Sequence, residues 1–167
     1  MESVSEKPVT LTEIEIARRD WMAEHLCSYL ESGGAKGHIV DLRPIGGLAF
    51  TTHLLLKTVG RKSGQTRITP LIYGDVGGEV VIVASKGGAD VHPAWYLNIK
   101  SAREVDFQIG GQAFRSTWRE PQGKERDEIW AFMAKNYPPY TQYQTKTQRT
   151  IPLVMFSSGK PIEIFRA

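Results

Sequence analysis

Thr58-Val59-Gly60-Arg61-Lys62-Ser63-Gly64-Gln65-Thr66-Arg67 decides how this chain is read. Two glycines bracket a turn that carries Arg61 and Lys62, and Arg67 follows just after it. Upstream, Phe50 to Val59 is apolar and β-branched, and downstream the pattern resumes from Arg67 to Tyr73, so the stretch predicts a β-hairpin. A second turn of the same kind, Ala84-Ser85-Lys86-Gly87-Gly88, ends the short apolar strand Glu79 to Ala84, itself preceded by the tight Gly77-Gly78 turn. Glycine turns present backbone N–H groups that make anion-binding nests. Arg61 and Arg67 carry guanidinium forks suited to a phosphate or carboxylate. The two basic turns are therefore expected to form one cradle for an anion, against the alternative of two solvated hairpin tips.

Outward from these turns, the spacing of Ile14, Ala17, Trp21, Leu26, Tyr29 and Leu30 predicts a helix over residues 10–32, stopped at Ser32-Gly33-Gly34. Residues 1–9 read as a loose tail, and 33–49 as a long glycine-rich connection. His92-Pro93-Ala94-Trp95-Tyr96 opens a short helix with Pro93 at its first position. Val105 to Ile109 and Ala113 to Arg119 flank Gly110-Gly111 as another hairpin. Pro121 starts a helix whose apolar face holds Ile129, Trp130, Met133 and Tyr137. Residues 138–150 read as an irregular segment, and Ile151 to Phe156 and Ile162 to Phe165 as strands. Six or seven strands joined mostly by tight turns, with three helices, predict an α+β fold. The expected architecture is a closed or partly closed antiparallel β-barrel over residues 50–165 with peripheral helices, in one domain spanning 1–167.

Composition excludes several classes. The 167 residues carry a net charge of +3, too mild to argue for nucleic acid, and no aromatic RNA-binding signature appears. Cys27 is the only cysteine, which removes internal disulfides and cysteine metal clusters. His25, His38, His53 and His92 are scattered without ligand spacing, so no metal is expected. Neither a secretory signal nor an apolar run of membrane-spanning length is present, which predicts a cytoplasmic protein. Arg18 and Arg19 beside Trp21 and Met22 leave open a peripheral membrane contact through the first helix.

Charge placement is uneven. Lys57 to Gly74 holds four cations (Lys57, Arg61, Lys62 and Arg67) and no acid. Tyr137, Tyr140 and Tyr143 recur every three residues around Pro138-Pro139 and, with Trp95 and Tyr96, could wall a pocket for a flat ring. No nucleophile elbow, phosphate loop or complete dinucleotide fingerprint is found. A basic cleft for an anionic tail beside an aromatic pocket fits a flavin-like cofactor, which brings its own reactivity and explains why no acid–base pair stands out. FMN, heme or a lipid, held by a carrier or sensor, is the alternative occupant.

At these residues the chain resembles the deazaflavin-dependent nitroreductase family, which uses coenzyme F420. The resemblance rests on Thr58 to Gln65, Arg67 with Pro70-Leu71, Ala84 to Ala89, Pro93 to Asn98, and Tyr137-Pro138 through Tyr140 and Tyr143 to Arg149-Thr150-Ile151-Pro152. It implies an FMN-binding split-barrel-like fold and a bound 8-hydroxy-5-deazaflavin. It further implies cofactor contacts at Arg61, Lys62 and Ser63; at Arg67, Ile68, Thr69, Pro70, Leu71 and Ile72; at Val83, Ala84, Ser85 and Lys86; and at Ala94, Trp95, Tyr96, Leu97, Asn98 and Tyr140. Ser85, Tyr137, Tyr140 and Tyr143 would line the substrate side, with Tyr140 or Tyr143 (or water) supplying a proton. The implied reaction is hydride transfer from reduced F420 to a quinone, nitroaromatic or unsaturated lactone, in an enzyme that could pair as a homodimer. His53 stands where a member of that family has a small hydroxyl residue.

Overall fold

The computed structural model describes residues 11–157 and 159–166. The expected tail at 1–9 lies outside the described residues. The elements run α1 (Leu11–Glu31), β1 (Ile39–Val40), β2 (Thr51–Val59), β3 (Thr66–Val76), β4 (Glu79–Val83), α2 (Ala94–Lys100), β5 (Glu104–Ile109), β6 (Gln112–Arg119), α3 (Gly123–Asn136), α4 (Pro139–Thr145), β7 (Leu153–Phe156) and β8 (Lys160–Ile162). Six strands close in the order β2-β3-β4-β7-β6-β5 and back to β2, while β1 extends β2 and β8 pairs with β6. Every pairing is antiparallel. Closure removes the open edges that a six-stranded sheet would otherwise present.

Strands β4 and β7 read as continuous apolar runs because both of their faces are covered. Side chains alternate across a strand, so Leu54 and Leu56 of β2, Val80 and Ile82 of β4, and Val154 and Phe156 of β7 fill the barrel interior. Trp95, Tyr96 and Ile99 of α2 join that inner cluster. Their neighbours Val81, Val83, Leu153 and Met155 point the other way, against Ile129 and Met133 of α3 and Tyr137 and Tyr140. Burying one such large side chain contributes about 1.5–3 kcal/mol.

Four details differ from expectation. Residues 138–150 are not irregular, because Pro139 sits at the start of α4, where its missing N–H costs nothing and its fixed φ suits a helix. Pro93 is the residue before the first turn of α2 rather than within it. The connection 33–49 contains β1 and a 3₁₀ turn at Arg43–Ile45. The last strand is Lys160–Ile162, and Phe165 instead packs beneath α1 with Tyr29 and Leu55.

Helix α1 is tied to the outer face of the barrel by buried polar contacts. The Tyr29 hydroxyl donates to the His53 carbonyl at 3.0 Å and accepts from the Gly110 N–H at 2.8 Å. One turn earlier His25 sets its ring edge-on to that of His53, with centroids 4.8 Å apart at 88°. No described helix is long and apolar enough to cross a membrane.

The His53 imidazole is only 5% exposed. Burial first, then the neighbouring His25 and His38 rings, pushes its pKa down to about 4, with a Thr51 backbone contact opposing. Burial lowers His25 as well. An unfolded imidazole titrates near 6.5. Between about pH 6.5 and 4 the unfolded chain therefore binds the extra proton, so stability is full above this window and falls as pH drops through it. His53 alone accounts for a loss of about 2 kcal/mol by pH 5 and about 3 kcal/mol in all. Urea denaturation at pH 7, 6 and 5 should show that slope, and His53→Leu should flatten it. An equal slope in the variant would contradict the assignment.

Candidate functional site

A cavity of about 370 Å³ lies on the outer face of the barrel, between it and α1 and α4. Its floor is the middle of β3, Thr69 to Ile72, with Val83 at the end of β4. One wall is Tyr137, Tyr140 and Tyr143, and another is Pro93 and Trp95 at the start of α2. Ser85, Lys86 and Gly87 form a rim, and Trp21, Met22 and His25 of α1 close over the top with His53 below them. Within the tyrosine wall, the Tyr137 and Tyr140 rings are 4.9 Å apart and Tyr140 and Tyr143 6.2 Å. The three-residue spacing puts all three rings at this wall, because α4 begins between the first and the second.

The rim turn is held in an unusual backbone state. Lys86 is the only described non-glycine residue with positive φ, at +46°, and Gly87 and Gly88 follow at +63° and +84°. Such a lysine conformation is costly unless surrounding contacts impose it. Arg149 imposes it: its guanidinium donates to the carbonyls of Ala89 at 2.7 Å, Ser85 at 2.8 Å and Ala84 at 3.2 Å. Its Nη1 also lies 3.1 Å from Nδ1 of His92. Burial lowers the Arg149 pKa, and the guanidinium stays charged nonetheless. On the far side the turn abuts α4, where a side chain at Gly88 would meet the Tyr143 carbonyl at 2.6 Å.

The expected site residues divide into three groups. Thr69, Pro70, Leu71, Ile72, Val83, Ser85, Lys86, Trp95, Tyr137, Tyr140 and Tyr143 line the cavity. Arg61, Lys62, Ser63 and Arg67 lie off it, exposed at the turn from which β3 runs into its floor. Asn98, also off the cavity, braces the basic turn, since its side-chain carbonyl accepts from the Arg61 backbone N–H at 3.1 Å and from its guanidinium at 3.3 Å. The third group stands elsewhere. Ala84 and Tyr96 point into the barrel, and the Tyr96 hydroxyl bonds Glu120 at 2.6 Å. Leu97 packs on the same inner cluster, Ile68 packs beneath α1, and Ala94 is exposed. A period-2 count from Val83 would have turned Ala84 inward. Trp21, His25, His53 and Arg149 are residues that sequence reasoning missed as parts of the site, since His25 with His53 and Arg149 with the rim carbonyls meet across long stretches of chain.

Electrostatics separate the exposed cations into two kinds. Arg43, Arg115 and Arg119 each hold a carboxylate at 2.7–2.8 Å. Among the described residues, no ion pair engages Arg61, Lys62, Arg67 or Lys86. That donor set suits an anionic chain, and the cavity is large enough and apolar enough for a planar ring system. Burial and the neighbouring tyrosines hold the Tyr140 phenol far above its ordinary range, so it keeps its proton at neutral pH. No group of three metal-ligating side chains occurs among the described residues.

The F420H(2)-dependent quinone reductase family matches residues 21–158. An F420H(2)-dependent quinone reductase of Mycobacterium tuberculosis strain H37Rv is 35% identical over 136 residues, covering 80% of this chain and 87% of the relative. Among solved structures, an F420-H2 dependent reductase (FDR-A) is 42% identical with a TM-score of 0.57, over 63% of this chain and 93% of that one. A solved domain-swapped dimer is 39% identical with a TM-score of 0.60, over 84% of this chain and 99% of that one. The family match runs from Trp21 above the cavity through both glycine turns and the tyrosine wall, and the chain belongs to the F420H(2)-dependent quinone reductase family.

Proposed function

We propose that this chain, acting as one domain over residues 1–167, reduces quinones with coenzyme F420 held across the cavity. The deazaflavin ring would lie between the β3 floor, Trp95 and the Ser85–Gly88 rim. Its phosphate and glutamate tail would run toward Arg61, Lys62 and Arg67. The observation that carries this reading is the set of unpaired cations at the turn leading into an aromatic-walled cavity. When bound in its reduced form, F420 supplies a hydride to an electron-poor carbon.

The protein's own residues supply position, exclusion of water and a proton. The outward face of Lys86 and the turn N–H groups offer the ring's polar edge a fixed set of donors. Trp21 and Met22 shield the cavity from above. Tyr140, kept neutral by burial, is suited to donate a hydrogen bond to a developing oxyanion without losing its proton. Half-buried Tyr143 stands nearer to solvent and is the better route for the proton itself. The reading includes a homodimer, which the domain-swapped relative supports, and a cytoplasmic location. It also includes a peripheral membrane contact through α1, supported by exposed Met22 beside Arg19.

Titrating the purified protein with F420 and following its fluorescence should give micromolar or tighter binding. Arg61→Ala and Lys62→Ala should each weaken it roughly tenfold, the double variant more, as charge-assisted contacts are lost. An unchanged Kd in the double variant would place the tail elsewhere. Reduced F420 should be oxidised on adding menadione, and the absence of any quinone-dependent oxidation would overturn the reading.

A further inference from the structure

Arg149 has a partner that its clasp on the rim does not account for. Each nitrogen of its guanidinium donates to a carbonyl: Nε to Ala89, Nη1 to Ala84 and Nη2 to Ser85. Nη1 also reaches Nδ1 of His92 at 3.1 Å. A guanidinium donates and never accepts, so Nδ1 of His92 presents its lone pair. The imidazole in this contact is neutral, with its proton on Nε2.

The position of His92 in the chain gives this bond its reach. His92 stands immediately before Pro93 and close to Trp95, which wall the cavity at the start of α2. Its ring packs against that of Tyr96 with centroids 4.9 Å apart, and the Tyr96 hydroxyl is moored to Glu120 at 2.6 Å. On the α4 side, the Gln144 side chain donates to the Arg149 carbonyl at 2.8 Å and accepts from the Ile151 N–H at 3.0 Å. Rim, α2 wall and tyrosine helix therefore meet around Arg149, and His92 ties it to α2. A contact at Nη1 from that side fixes the plane of the fork, so that Nε and Nη2 stay aimed at the Ala89 and Ser85 carbonyls.

A proton on Nδ1 would reverse the contact. Two cationic donors would then face each other, and attraction would become repulsion. The charged groups around His92 are Arg149, Lys100 and Glu120, while Tyr96 lies against the ring and Asp90 acts on Arg149. Burial first, then the Arg149 and Lys100 charges, lowers the His92 pKa, and Glu120 opposes them. The neutral form thus holds at neutral pH and gives way below the ordinary imidazole value of about 6.5.

We propose that His92 is a positioning residue of the cofactor rim: its neutral Nδ1, accepting from Arg149, locks the Ala84–Ala89 turn to α2, and uptake of a solvent proton opens that lock. The consequence for F420 rests on the function proposed above, whereas the movement of the rim does not.

Hydrogen exchange of the full chain without ligand reads the rim directly. The Gly88 N–H bonds to the Ser85 carbonyl at 2.9 Å and the Ala89 N–H to that of Lys86 at 3.2 Å. Their protection, taken relative to the unstructured exchange rate at each pH, should fall roughly tenfold from about pH 7 to about pH 5. His92→Asn, whose side-chain oxygen accepts but does not titrate, should keep that protection level. His53 is present in both proteins, so its acid effect on global stability cancels in the comparison. His92→Leu, with no acceptor, should lose rim protection at both pH values while the amides of β3 keep theirs. In F420 titrations, the wild-type Kd should rise roughly tenfold more over this pH range than that of His92→Asn, the ligand's own ionisation being common to both. Rim protection that ignores pH in wild type or falls equally in His92→Asn, or an F420 Kd that responds equally in both proteins, would overturn the proposal. A pH-sensitive rim in a protein that does not bind F420 would instead overturn the parent reading and leave the lock standing.

Discussion

The site depends on one guanidinium. Arg149 gathers the carbonyls of Ala84, Ser85 and Ala89, which belong to the chain as it leaves β4 and heads for α2. Without that clasp three inward carbonyls would lose their donor, and Lys86 would relax from a conformation that L-residues avoid. Everything the rim does follows from it. The turn stays outside the barrel, Ser85 and Lys86 face the cavity, and Gly88 fits under the backbone of α4. The tyrosine wall is thereby packed against the same loop that rims the chamber.

The closed barrel determines where chemistry can occur. Its interior is filled by Leu54, Ile82, Phe107, Phe156 and the inward face of α2, so no ligand enters there. The aromatic-walled cavity lies instead on the outer face, where α1 and α4 stand over β3. The floor is rigid because β3 is hydrogen-bonded on both sides, to β2 and β4. Among the described residues, α1 is held to the barrel by contacts around Tyr29, His25 and Phe165.

Much of this was legible in the sequence because it is local. The Gly60–Gly64 turn, the period-2 strands and the apolar face of α3 each carry their signal within a few residues. The tyrosine triplet was legible as a wall, though not as a helix, because two consecutive prolines read as a break when one of them in fact starts α4. Tyr96 shows the limit of segment-level reasoning: it lies within a segment expected to contact the cofactor, yet its position on α2 turns it into the barrel toward Glu120. His25 and His53, and Arg149 with Ala84, are brought together by the tertiary fold across long stretches of chain. Nothing in spacing or composition announces such pairs.

The central claim is a division of labour: the cavity takes a planar ring, and the unpaired cations take its anionic tail. Its most direct test is the salt dependence of binding for F420 and for the deazaflavin riboside that lacks phosphate and glutamates. If the claim holds, the riboside binds more weakly and its Kd is indifferent to salt, while the Kd for F420 rises as salt screens the tail contacts. Equal affinities with equal salt response would contradict it.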